Sequence, residues 1–269
     1  MCRRVTEDAM TDQRVVLSEK RGAVFYITLN RPHVLNAMNL EMEKALVESI
    51  QTFRDDDELL VAILTGAGGR AFSAGMDLKE VARDDSDGRG RGQDEIRRFA
   101  DLEIWKPIIA AVDGYCVAGG FEIALQCDIR IATSQSTFGL PEPRWNLMAN
   151  YFGCHNLSRM IPLGEAMYIQ LTGNRIGSQE ALRCGLVHSV HPDRDALMKE
   201  ADAIADSITL CSPLAVQAIK QVVTKARSLP VEEAYKMGIP MLRRLMEMED
   251  GTEGPKAFAE KRRPVWKMR

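Results

Sequence analysis

A chain of 269 residues with 45% hydrophobic content can bury one substantial core and carry a smaller appended unit. Its formal charge of −3 gives no electrostatic reason to expect a nucleic-acid or anionic-membrane partner. No apolar run reaches the roughly 18 residues that a membrane-crossing helix needs, and Arg3 and Arg4 are followed by no apolar stretch, so neither a membrane span nor a secretory signal is expected.

Residues 1–14 are polar and without period, and are expected to form a disordered tail. Short β-branched runs then recur at 24–29, 61–65, 108–112, 129–133 and 187–190, each ending in a turn and most followed by a helical pattern. That alternation predicts an α/β core over 15–194. Between the first two runs, Met42, Leu46, Ile50 and Phe53 form a helical stripe with Asn39 as its N-cap and Asp55-Asp56-Asp57 at its close. Gly66-Ala67-Gly68-Gly69 lacks the lysine of a P-loop and the spacing of a dinucleotide fingerprint, so it reads as a strand-to-loop turn. The glycine-rich, mixed-charge stretch 84–92 reads as a mobile solvated loop; its arginines are diluted by aspartates, which speaks against RNA contact.

From Asp195 strand signals stop, and 195–269 reads as a helical unit. Leu197, Ala201, Ile204 and Ile208 form one stripe; Ser212-Pro213 supplies an N-cap and a first-turn proline for the next; a kink or break is expected in the third at Gly238-Ile239-Pro240. Met237, Met241, Met246 and Met248 read as adaptable packing. The six cysteines show no C-x-x-C spacing, which fits free thiols and a cytoplasmic setting. His188, His191, Cys184 and Asp193 match no zinc spacing, and no metal is expected.

Two carboxylates lie beside turns built for close approach to a ligand. The apolar run 108–112 leads to Gly119-Gly120 and then to Glu122 at the start of a helical run, where backbone N–H groups lack partners. A first-turn glutamate also complements the helix dipole, so Glu122 alone admits both readings. Glu142 follows Gly139-Leu140-Pro141; its bland reading is a turn-exposed acid between Pro141 and Pro143.

The set Asn30-Arg31-Pro32, Leu35-Asn36-Ala37, the run from Ala71 to Leu78, the run from Val117 to Glu122 and Phe138-Gly139-Leu140-Pro141-Glu142 resembles the enoyl-CoA hydratase/isomerase (crotonase) superfamily in order and spacing. The likeness runs from about Val15 to Arg262. Periodicity alone fits a doubly wound parallel sheet equally well; the resemblance implies instead an α/β spiral of repeated ββα units, with the C-terminal helices building a homotrimer or a hexamer of two trimers. It implies an enoyl-CoA hydratase with catalytic Glu122 and Glu142 and an oxyanion hole from the backbone N–H groups of Met76 and Gly119. An acyl-CoA thioester is then the substrate, coenzyme A being part of it, with no separate cofactor. Coenzyme A positions carried over are Val34, Leu35 and Ala37 on one loop, Ser73, Ala74, Gly75, Asp77 and Leu78 on a second, and Phe258 and Lys261 near the C-terminus.

Retaining both glutamates favours hydration or dehydration; the alternatives are isomerisation, carnitinyl-CoA-type dehydration and a non-enzymatic acyl-CoA- or RNA-binding relative. The likeness weakens over 143–153, where Trp145, Tyr151 and Phe152 replace a glycine-rich stretch. These aromatics either shape the acyl pocket, Trp145 foremost, or pack as core.

Overall fold

The computed structural model describes residues 14–79, Phe99 and residues 102–269. The tail 1–13 and the glycine-rich stretch 84–92 lie outside the described residues. Ten strands are present among the described residues: β1 (Val16–Arg21), β2 (Val24–Leu29), β3 (Val61–Gly66), β4 (Ala71–Ser73), β5 (Ile108–Val112), β6 (Tyr115–Val117), β7 (Ile129–Thr133), β8 (Thr137–Gly139), β9 (Arg175–Gly177) and β10 (Ser189–His191). They form a six-stranded sheet of order β1-β2-β3-β5-β7-β10 and a four-stranded sheet of order β4-β6-β8-β9. Only β1 is antiparallel to its neighbour in the first sheet, and only β9 in the second.

The larger sheet is covered on both faces at its centre, which explains the unbroken buried runs of β3 and β5. Side chains alternate along a strand: Ala62, Leu64, Ile108, Ala110 and Val112 pack with Met42, Leu46, Ile50 and Phe53 of the Leu40–Asp55 helix. Val61, Ile63, Ile109, Ala111 and Ile131 face the other way, onto Leu197, Ala201 and Ala205 of the Arg194–Thr209 helix. The apolar stripe of that helix covers the sheet's second face, so the first helix of the C-terminal stretch packs into the core.

The spiral logic lies in the pairing of the sheets. Each of β3, β5 and β7 is followed within a few residues by a short parallel strand of the second sheet, β4, β6 and β8 respectively. The chain thus emerges three times at the same end of the small sheet. Phe121 and Phe138 fix this layer, with ring centroids 5.6 Å apart.

Capping follows the sequence. Asn39 Oδ1 accepts from Met42 N at 3.0 Å, Ser212 Oγ accepts from Ala215 N at 3.5 Å, and Asp193 Oδ1 accepts from Ala196 N at 2.9 Å. The break expected at Pro240 does not occur: the Val231–Glu247 helix continues through it. The segment lies alongside the Pro213–Ala226 helix, where a β-carbon at Gly238 would be at ordinary contact distance, 3.8 Å, from both Val222 methyls. A last helix, Glu249–Ala259, contains Pro255. The strand expected at 187–190 is shifted to Ser189–His191, where it pairs with β7.

Candidate active site

Three of the residues to which the resemblance assigns the chemistry follow directly on the short strands. Met76 comes three residues after β4, Gly119 two after β6 and Glu142 three after β8, so three turns of the spiral deliver them to one place. They line a single cavity of about 390 Å³ together with Ala74, Glu122 and Trp145.

Two neighbouring loops form its first wall. Ala74 N donates to Leu35 O at 3.0 Å, Met38 N to Gly75 O at 2.7 Å and Asp77 N to Met38 O at 2.9 Å. Because this parallel bridge uses Gly75 O and Asp77 N, the intervening Met76 N–H points to the strand's other side. Gly119 lies there: a β-carbon built on it would be 3.8 Å from Met76 N and from Gly75 Cα. As first residue of the Gly119–Ala124 helix, Gly119 has no intrahelical partner for its N–H. The preceding Ala118 sits at φ 49°, ψ −134°, a conformation costing an L-residue about 1–3 kcal/mol that is found where surrounding structure enforces a functional geometry.

Glu122 is 2% exposed and Glu142 8%. Burial pushes the Glu122 carboxyl up to about 7; the Gly153 amide opposes this and the nearby Glu142 charge adds to it. Burial also raises Glu142. Glu122 Oε1 accepts from Gly153 N at 3.0 Å, whereas Glu142 Oε2 is buried with no hydrogen-bond partner among the described residues. A buried acceptor without a partner is costly unless a ligand or water meets it. The reading of Glu142 as a turn-exposed acid is thereby removed. The two carboxyls line one cavity, and the charge of Glu142 adds to the burial that favours the protonated form of Glu122.

The positions that the resemblance assigns to coenzyme A divide. Ala74 and Leu78 line the cavity, whereas Val34, Leu35, Ala37, Ser73, Gly75 and Asp77 build the loops behind it. Ser73 Oγ is spent on Asn36 O at 2.8 Å, and Asp77 pairs with Arg31 at 3.1 Å, which also donates to Ala37 O at 2.6 Å. Phe258, 87% exposed, and Lys261 are not brought to the cavity of their own chain. Trp145 is 65% exposed and lines the cavity, so it is not a core residue, and Tyr151 lines it too. Phe152 instead packs on His155, with ring centroids 5.9 Å apart.

Sequence reasoning missed the buried Asn36, whose Nδ2 donates to Ala67 O at 3.0 Å and Ala71 O at 2.7 Å. It also missed Gln126, Glu43 and Asn150 on the cavity wall. Gln126, four residues after Glu122, carried a readable signal, since side chains so spaced share a helical face.

The enoyl-CoA hydratase/isomerase profile matches residues 19–269. A carnitinyl-CoA dehydratase from Salmonella typhi is 38% identical over 257 residues, covering 93% of this chain and 97% of that protein. The crystal structure of an enoyl-CoA hydratase from Mycobacterium tuberculosis H37Rv superposes with a TM-score of 0.88 at 38% identity, covering 94% of this chain and 99% of that one. An enoyl-CoA hydratase from Mycobacterium marinum gives 0.85 at 38% identity with the same coverages. With the profile spanning nearly the whole chain and relatives matched along nearly their full length, the chain belongs to the enoyl-CoA hydratase/isomerase family.

Proposed function

We propose that the protein is an enoyl-CoA hydratase, a hydro-lyase adding water across the 2,3 double bond of a 2-enoyl-CoA. The observation that carries this reading is the buried pair Glu122 and Glu142 in one cavity with the Met76 and Gly119 amides. Attack of water at the β-carbon drives charge onto the thioester oxygen, where two fixed N–H donors stabilise the enolate. The ionised carboxylate of the pair takes the water proton as the oxygen–carbon bond forms, and the protonated one gives its proton to the α-carbon. The pair again holds one proton at the end, and the scheme uses protein groups and water alone.

A second reading, dehydration of a carnitinyl-type acyl-CoA, is favoured by the 38% identity to carnitinyl-CoA dehydratase. It is the same chemistry in reverse on a functionalised acyl group. Loss of enone ultraviolet absorbance on incubation with crotonyl-CoA and longer or branched enoyl-CoAs tests hydration. Product analysis with a carnitinyl thioester separates the second reading, and no turnover of either class would sink both.

Trp145→Ala is expected to change the ranking of short, long and branched enoyl-CoAs while costing little stability. A fitted methylene is worth about 1–3 kcal/mol of discrimination, whereas an exposed side chain carries little of the roughly 3–5 kcal/mol that a core tryptophan would lose. Melting temperature measured beside kcat/KM decides: a large melting drop with an unchanged ranking refutes the pocket role.

We also propose a homotrimer or a hexamer. The Val231–Glu247 helix buries none of its residues, and with the Pro213–Ala226 helix it frames an apolar groove lined by Ile219, Val223, Tyr235 and Leu242. Sedimentation at micromolar concentration should give three or six copies, and a monomer would end the proposal.

A further inference from the structure

Glu122 is held by the chain segment 151–153, and that segment is itself gripped from two sides. Its N–H groups face Glu122: Gly153 N donates to Oε1 at 3.0 Å, and the Tyr151 amide favours the charged carboxylate as well. Its carbonyl side is taken by Gln126, whose Nε2 lies 3.4 Å from Tyr151 O and 3.2 Å from Glu122 O. The Gly119–Ala124 helix and the turn that follows it thus bind the segment with two side chains four residues apart, an acceptor and a donor.

The fit at Gly153 leaves no slack. A β-carbon there would stand 2.8 Å from Glu122 Oε1 and 2.8 Å from Ala149 Cβ. The chain just before it, through Trp145, Leu147, Met148 and Tyr151, is a wall of the cavity. The carboxylate and the acyl-facing wall are therefore connected by hydrogen bonds through Gly153 and Gln126.

We propose that Gln126 and Gly153 are positioning residues that lock backbone 151–153 onto Glu122, making the acyl-pocket wall and the proton-transferring carboxylate one rigid unit. This rests on the hydratase reading for its catalytic meaning, though not for its geometry. The titratable groups facing Glu122 are Glu142 from the turn after β8 and Cys154 from the Gly153–Met160 helix, both electrostatically coupled to this site, and Glu43 of the Leu40–Asp55 helix lines the same cavity. Gln126 carries no charge, so its replacement alters none of these directly.

Gln126→Met keeps side-chain length and removes both donated bonds. With 151–153 released, the amides pull less on the carboxylate, and its proton is held to higher pH. The expected result is a basic limb of kcat/KM moved up by about one pH unit and a kcat lowered by about tenfold, as for a misplaced catalytic group. Gly153→Ala should act in the same direction, and added to Glu122→Gln it should cause no further loss of turnover. An infrared titration of the carboxyl stretch, assigned by its loss in Glu122→Gln, reads the same change without substrate. If wild type turns over no enoyl-CoA, the hydratase reading fails while the infrared titration still decides the positioning role. A Gln126→Met protein with a lower melting temperature but unchanged infrared titration and pH profile would overturn the proposal.

Discussion

Replacing Glu122 by Gln is expected to lower turnover of the best enoyl-CoA by about 10²–10⁴-fold, the usual worth of a positioned acid or base, and to raise stability at alkaline pH. The first effect arises because an amide keeps the shape and can still accept the Gly153 N–H, yet exchanges no proton. The second follows from burial, which lifts the carboxyl from 4.5 in the unfolded reference to about 7 in the folded protein. Between those values the folded state keeps a proton that the unfolded chain releases. The group's contribution is thus fully present below about pH 4.5 and is lost as pH rises through about 7. At pH 8 the wild type has forgone about 3 kcal/mol relative to acid pH, from about 1.4 kcal/mol for each unit of pKa.

Gln has no proton to lose, so the variant should exceed the wild type by up to about 3 kcal/mol at pH 8 and converge with it near pH 5. Urea denaturation at the two pH values, beside steady-state turnover, measures both effects. Glu142→Gln should lose turnover similarly, since its unpartnered Oε2 is the open acceptor of the pair. Near-wild-type turnover in both variants would end the carboxylate-pair mechanism, and equal destabilisation of Glu122→Gln at both pH values would contradict the linkage.

The other large effect is expected at Gly75. It lies at φ +85°, and an added β-carbon would stand 2.6 Å from Ala118 Cβ and 2.9 Å from Gly119 N. Gly75→Ala therefore strains its own backbone and should push apart the two amides of the proposed oxyanion hole. Loss of one such donor costs about 10²–10³ in kcat, and the left-handed conformation costs about 1–3 kcal/mol of stability in addition. Affinity for saturated butyryl-CoA, which forms no enolate on this path, should fall far less than kcat. Gly164→Ala is the control: its β-carbon meets nothing within 4 Å inside the Leu163–Thr172 helix, so stability should hold or rise and turnover should not change. A Gly75→Ala enzyme with kcat within a factor of about two of wild type would remove Met76 and Gly119 from the proposed oxyanion hole.

Much of the fold was legible because its signals are local. Runs 24–29, 108–112 and 129–133 coincide with β2, β5 and β7, since short runs rich in β-branched residues and bounded by turns favour strands. Asn39 and Ser212 cap as their residue types require. The four-stranded sheet was not legible: its strands are three residues long, too short for an alternation to register.

The sequence by itself determined the membership of the chain in a family, the positions of Glu122 and Glu142, and the glycines that let two loops approach each other, because each depends on residue types within a few positions along the chain. Only the tertiary structure decided that both glutamates are buried with raised proton affinity, that Trp145 lines a cavity instead of the core, that Phe258 stands away from its own chain's site and that Gln126 grips segment 151–153. The physical reason is distance along the chain: the bond from Gly153 to Glu122 spans 31 residues and that from Gln126 to Tyr151 spans 25. Desolvation and positioning are set by such long-range neighbours, which no local pattern of residue types encodes.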